Sequence, residues 1–305
     1  MRLILAVLAL APVSGFAAPL PLGRIPPGKV LLAIFAHHDD HTWEYGVGGA
    51  VARMIDAGYT GYYVRVTNDE KDGRDWGEND RVNLREAVEG TRHLGMREVI
   101  SLNWRNDHMD STPINELRAQ LILLVRRYRP DVVFSWNPWG HYDRNPDHRK
   151  VGRAVGEAVW MAGYANVHPE HLEAGLRPHR VPHLYYTQRS DYGRGHEPNL
   201  AIELDESHVR RKQDAYWAHK NVRFNPGAAR AVRRQLEARN LAIPELEGLT
   251  DEQAIEWLEK WRIEWSSAQT GKANGVRYAE AFHYLDPWSC LPGLRAYIAE
   301  ASVPR

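Results

Sequence analysis

Residues 30–35 form an unbroken apolar run, Val-Leu-Leu-Ala-Ile-Phe, with no polar position to turn toward water. A run without alternation suits a strand buried on both faces, as in a parallel sheet. Four more apolar runs rich in β-branched or aromatic residues follow at 62–66, 99–104, 131–135 and 183–187. Between them the periodicity becomes helical, at 48–57, 81–94, 114–128 and 148–161. Gly95 stops the second of these helices, and Pro130 follows the third. Strands alternating with helices predict an α/β fold: a Rossmann-like, doubly wound, mostly parallel sheet with helices on both faces. Beyond Leu204 the chain is more charged and reads as helices at 209–221, 228–239 and 251–265, with surface loops at 225–227 and 271–275. The organisation expected is an α/β catalytic core over 19–204 and a mainly helical C-terminal part over 205–305, packed on the same domain.

The first residues follow a different pattern. Arg2 precedes an apolar stretch from Leu3 to Phe16, then the small residues Ala17 and Ala18, then Pro19 and Pro21. This predicts a cleaved signal segment over 1–18 and an exported protein, periplasmic or secreted; the run is short for a membrane span. No second long apolar run follows, so no stable span is expected in the mature protein. Of the 305 residues, 39 are Lys or Arg and 39 are Asp or Glu, so nothing points to nucleic acid as a partner. Cys290 is the one cysteine, which excludes an internal disulfide framework and suits a small buried residue.

Two polar clusters interrupt the pattern where strands end. His37-His38-Asp39-Asp40-His41 follows the first strand, and Asn145-Pro146-Asp147-His148 lies in the loop after the fourth. Imidazole and carboxylate are donors that catalytic zinc accepts, and iron or cobalt accept them too. In an open α/β sheet ligands bind beyond the carboxyl ends of the strands, where the strand order reverses. With the common order 3-2-1-4-5, strands one and four are neighbours at that point and the two clusters meet. A dinucleotide site is disfavoured, because no Gly-x-Gly-x-x-Gly turn follows strand one.

These segments carry a resemblance. Ala36-His-His-Asp-Asp-His41 resembles the Ala-His-Pro-Asp-Asp-Glu motif of the PIG-L/LmbE-like N-acetylglucosaminyl deacetylases, and Asn145-Pro-Asp-His148 is similar to their His-Pro-Asp-His motif. Gly48-Gly49, residues 67–73, Leu94-Gly95-Met96, Asp107, Lys212 with Ala215 and His219, and residues 278–282 add to it, so that it runs from about Val30 to Leu285. The resemblance implies zinc held by His37, Asp40 and His148, with a fourth position left for water, and Asp39 as general base. It implies hydrolysis of the N-acetyl group of an N-acetylglucosamine-type sugar or glycoconjugate.

The sequence departs from that pattern at His38 for Pro, His41 for Glu and Asn145 for the first His of the second motif. His141, four residues before Asn145, is the candidate imidazole for stabilising the tetrahedral intermediate. His38 and His41 are expected at the surface or supporting a ligand, and Lys212 and His219, seven apart on a helix, fit a solvated face as well as a functional one. There are 11 tryptophans, and Trp43, Trp76, Trp104, Trp136 and Trp139 follow strands one to four, where flat aromatic faces suit sugar rings. The substrate contacts expected are Trp43, Asp69, Arg74, Asp107 and Trp139. A metal-dependent amidohydrolase on a non-sugar amide and a degenerate sugar-binding protein are the alternatives that these departures keep open. The oligomeric state is not legible.

Overall fold

The computed structural model describes residues 19–139, 143–187, 197–288 and 302–303. The predicted signal segment 1–18, His141 and Cys290 lie outside the described residues. In chain order the elements are β1 (Val30–Phe35), α1 (Gly48–Asp56), β2 (Thr60–Thr67), α2 (Asn79–His93), β3 (Glu98–Trp104), α3 (Ile114–Tyr128), β4 (Val132–Trp136), α4 (Pro146–Met161), α5 (Glu170–Glu173), β5 (His183–Thr187), β6 (Leu200–Leu204), α6 (Glu206–Trp217), α7 (Lys220–Arg223), α8 (Pro226–Ala238), α9 (Asp251–Ala273) and β7 (Tyr278–Leu285).

Among the described residues the strands form one sheet in the order β3-β2-β1-β4-β5-β7-β6. The first five run parallel, while β7 is antiparallel to both β5 and β6. The five predicted strands are all present, in the expected order. Leu31–Phe35 of β1 and all of β4 are buried, because helices cover both faces: α3 packs against α4, and α1 and α2 pack against α6. β1 registers with β4 as Leu31 with Val132, Leu32 with Val133 and Ala33 with Phe134. The carboxyl ends of these two strands therefore open side by side at the switch point.

The chain beyond Leu204 is not only helical. β7 inserts between β5 and β6 and completes the sheet. Its sequence, Tyr-Ala-Glu-Ala-Phe-His-Tyr-Leu, contains helix formers, and its pairing with β5 spans about a hundred residues, so local pattern does not reveal it. α9 runs eight residues past the predicted end, to Ala273, and Gly271 is buried against the Arg277 carbonyl rather than in a surface loop. No described helix is long and apolar enough to cross a membrane.

One buried ion pair ties this C-terminal part to the core. Lys212 Nζ on α6 donates to Glu280 Oε1 on β7 at 2.6 Å, and to the carbonyls of Glu44 and Gly46. The Glu280 carboxylate also accepts from the amides of Gly49 and Ala50 at the N-terminus of α1, where the helix dipole favours an anion. Gly49 is needed there, since a Cβ would come within 2.9 Å of the same carboxylate. The solvated face left open for Lys212 and His219 is excluded, and the two do not share a helix: Lys212 is fully buried on α6, which is packed by α1, α2 and α9, and His219 is fully buried past its end, just before α7.

Glu280→Ala strands the Lys212 ammonium and is expected to cost about 3–5 kcal/mol of stability. Lys212→Met is expected to cost less, since the α1 amides still hold the carboxylate. Denaturant unfolding of both variants measures this; a loss within about 0.5 kcal/mol for Glu280→Ala would show that the pair carries little.

Candidate metal centre

Past Phe35 the backbone enters a short 3-10 turn at Asp40–Thr42, and Ala36 to Thr42 are all buried. On the neighbouring strand, Trp136 ends β4, and the chain returns at the N-terminus of α4. Asn145 caps that helix by accepting from the Asp147 amide at 2.9 Å, and Pro146 follows at its first position. Capping fixes the first turn of α4, and with it His148, over the end of β1. Asn145 is therefore occupied with the backbone.

His37, Asp40 and His148 meet there. His37 Nδ1 lies 3.1 Å from His148 Nε2 and 3.5 Å from Asp40 Oδ1, and His148 Nε2 lies 3.3 Å from that oxygen. Donors of a tetrahedral ion with bonds of about 2.0–2.1 Å stand about 3.3–3.4 Å apart, so these three atoms already have the spacing of one face of a zinc site. Each donor's other polar atom is held elsewhere. His148 Nδ1 pairs with Asp143 Oδ2 at 2.7 Å, which turns Nε2 inward. Asp40 Oδ2 accepts from Trp136 Nε1 at 2.8 Å and from the His37 amide at 2.9 Å, leaving Oδ1 free to face the imidazoles. His37 Nε2 stands 3.4 Å from Asp147 Oδ2, close enough for attraction though without a well-formed hydrogen bond. Asp147 is itself fixed by the amides of Asp107 and Met109. The Trp136 ring stacks on His148 at 4.2 Å. Such carboxylate-backed histidines are the usual support of metal ligands.

The electrostatics favour a cation at this point. Burial draws the His37 and His148 imidazoles toward lower pKa, but Asp40, with Asp147 for His37 and Asp143 for His148, outweighs it and raises both. Burial raises the Asp40 carboxyl, and the two imidazoles outweigh it and hold it well below the usual carboxylate range. A metal ion would occupy the place that protons otherwise take.

Asp39 points differently from Asp40. Its Oδ2 accepts from Trp43 Nε1 at 3.1 Å and forms a short ion pair with Arg223 of α7. Burial would raise its carboxyl; the Arg223 guanidinium and then His38 outweigh that and lower it, so it stays ionised. Arg223 lies against the faces of Trp43, at 3.9 Å, and Tyr216, at 4.6 Å. Nothing in the local sequence marks Arg223, which sits 184 residues from its partner.

A second group of histidines lies behind the first. His38, His41 and His219 are fully buried, and none of their six ring nitrogens makes a hydrogen bond within the protein. A buried polar atom left so costs about 1–3 kcal/mol. The surface position expected for His38 and His41 is overturned: α6 and α7 cover the turn after β1. Burial pushes His41 down to about 3, and it is a neutral ring against Tyr63.

The other expected residues divide. Trp43 stands beside Asp39. Trp139 is part-exposed near Tyr186 and His283. Asp69 is fully buried and bonded to Arg65 and Thr67, so it is not on the rim. Asp107 is half-exposed and pairs with Lys71. Arg74 lies over Phe224 and lines a cleft of about 450 Å³ between α2, α7 and α9, which none of His37, Asp40 or His148 lines. The triangle and that cleft are separate places in the fold. Trp136 is buried as a support for Asp40, and Trp76 is exposed.

Residues 32–159 match the family model for GlcNAc-PI de-N-acetylase, PIG-L. A diacetylchitobiose deacetylase of Thermococcus kodakarensis is 31% identical over 184 residues, which is 58% of this chain and 64% of that protein. The chain thus spans just under two thirds of that relative's length. Among solved structures, the N,N'-diacetylchitobiose deacetylase of Pyrococcus horikoshii superimposes with a TM-score of 0.64 at 24% identity, covering 88% of this chain and 89% of that one. The 4-carboxy-2-hydroxymuconate hydratase GalB of Pseudomonas putida KT2440 shares the fold at a TM-score of 0.60 and 17% identity, covering 84% and 96%. The fold alone therefore does not fix the reaction. Over residues 32–159 the chain is thus similar to the PIG-L family, and it is a homologue of the diacetylchitobiose and LmbE-like deacetylases.

Proposed function

We propose that this protein is an exported, zinc-dependent deacetylase that hydrolyses the N-acetyl group of an N-acetylglucosamine-type sugar. The observation that carries the reading is the placement of a separate ionised carboxylate, Asp39, beside a three-donor triangle made of His37, Asp40 and His148. The names of the homologues, which are deacetylases of acetylated amino sugars, point the same way.

His37, Asp40 and His148 would hold the ion, and iron or cobalt would suit the same donors. Zinc, when bound, supplies a Lewis acid that acidifies water and polarises the amide carbonyl. The protein does the rest. Asp39 orients the attacking water and takes its proton as the new C–O bond forms. Arg223 and Trp43 engage Oδ2, so Oδ1 is the oxygen that exchanges the proton. A carboxyl kept acidic by Arg223 returns that proton readily to the amine nitrogen as the C–N bond breaks, and acetate and free amine leave. Trp139 offers a flat face for the sugar ring and Trp43, covered by Arg223, stands beside Asp39, with Asp107 and Arg74 farther out. His141 belongs to the same loop as Asp143 and is the proposed imidazole for the oxyanion.

Four measurements test this. Acetate release from N-acetylated chito-oligosaccharides is expected with zinc and is lost on chelation; no release across N-acetyl sugars would sink the deacetylase reading. Asp39→Asn is expected to lower kcat about 100- to 10,000-fold while zinc content stays unchanged. Trp136→Phe keeps the stack on His148 but removes the bond to Asp40, and zinc affinity in a chelator competition is expected to fall about 10- to 100-fold. Arg223→Gln removes the charge that lowers the Asp39 pKa, so that pKa rises. The acid limb of the kcat/KM profile then moves to higher pH; an unmoved limb would show that Asp39 is not the group it reports.

A further inference from the structure

We infer that the protein has a second divalent-cation site, formed by His38, Glu86 and His219, distinct from the His37–Asp40–His148 triangle. One donor atom from each of the three lies within 4.8 Å of the others. The His38 and His219 rings stand edge to face with centroids 5.1 Å apart, and His41 stands 5.9 Å from His219 on the other side. All three imidazoles are fully buried with no hydrogen bond to any ring nitrogen. Imidazoles held in this way have ring nitrogens that no hydrogen bond in the protein engages, and a transition-metal cation is a ligand that such nitrogens fit.

Three further features suit a built site. His38 Nδ1 lies 3.7 Å from Asp69 Oδ2, and Asp69 is held by Arg65 and Thr67, so this ring too is backed by a fixed carboxylate. Glu86 is fixed by the Asn221 amide, which donates to both its oxygens at 2.9 and 3.0 Å. One helical turn further on α2, Gly90 leaves room for His219, whose Nε2 would lie 2.8 Å from any Cβ there. The site also has an entry, since Glu86 lines the cleft between α2, α7 and α9 that holds about 450 Å³.

The donor set, two imidazoles and a carboxylate, suits zinc, iron, cobalt or nickel. The spacing is wider than the about 3.3–3.4 Å between donors of a tetrahedral zinc ion, so binding draws the three inward. Release of one of the two Glu86 oxygens from the Asn221 amide, with the other still held, supplies that movement. The three donors come from the turn after β1, from α2 and from the bend between α6 and α7. An ion here would join the segment carrying Asp39 to the C-terminal part, so that binding would couple to stability. His38 is one of the places where this chain departs from the motif it resembles, and the site gives that departure a reason.

The test uses the full chain, stripped with a chelator and reloaded with zinc alone. Metal analysis is expected to give two ions per chain for the wild type, and one for His219→Ala or Glu86→Gln. His148→Ala is also expected to keep one, at the second site. Anomalous diffraction at the zinc edge of wild-type crystals is expected to show one peak in each cluster, and decides the matter if a variant does not fold. One ion per chain in the wild type, or anomalous density in the triangle alone, would overturn the proposal and leave the deacetylase reading standing. Two ions without acetate release would do the reverse.

Discussion

Residues 37–41 are five ionisable side chains in a row, and all five are buried. A charge or polar ring out of water is stable only when paired, so each of the five demands a partner. The rest of the structure supplies one for four of them, while His41 stays a neutral ring against Tyr63. Asp40 is answered by Trp136 and His148, His37 by Asp147, Asp39 by Arg223, and His38 by Asp69. Those partners come from β4, α4, α7 and the loop after β2. The motif segment thus acts as the point around which distant pieces of chain must assemble.

This requirement explains why the C-terminal part is inseparable from the core. Arg223 covers Asp39, Lys212 reaches the carbonyls of Glu44 and Gly46 just beyond the motif, and Glu280 holds the first amides of α1. The β7 strand that carries Glu280 is itself built into the sheet between β5 and β6. Helices that look in isolation like charged surface elements therefore close the site from above. Their charged faces turn inward where the buried motif needs counter-charge.

The same arrangement separates the two adjacent aspartates. Asp40 is aimed at the imidazoles by two donors on its far oxygen, while Asp39 is drawn away by Arg223 and Trp43. One side chain faces two imidazoles and the other a guanidinium, although they are adjacent in sequence and share a buried turn. What distinguishes them is which neighbours donate to which oxygen.

The sequence determined the five parallel strands, because runs such as Val30–Phe35 admit no solvent face, and it determined that the polar clusters sit at strand ends. Together with the strand order, that was enough to bring the two clusters together, and the resemblance singled out His37, Asp40 and His148 within them. Local pattern could not reveal β7 or Arg223, since both depend on contacts made across long stretches of chain. Nor could it settle His38, His41, Lys212 and His219, because the pattern of a polar helix face is the same whether water or another helix lies against it. Asp69 likewise reads as a rim residue until Arg65 is seen to bury it. Burial is a property of what packs on top, and only the tertiary structure decided that for the segment His37–His41.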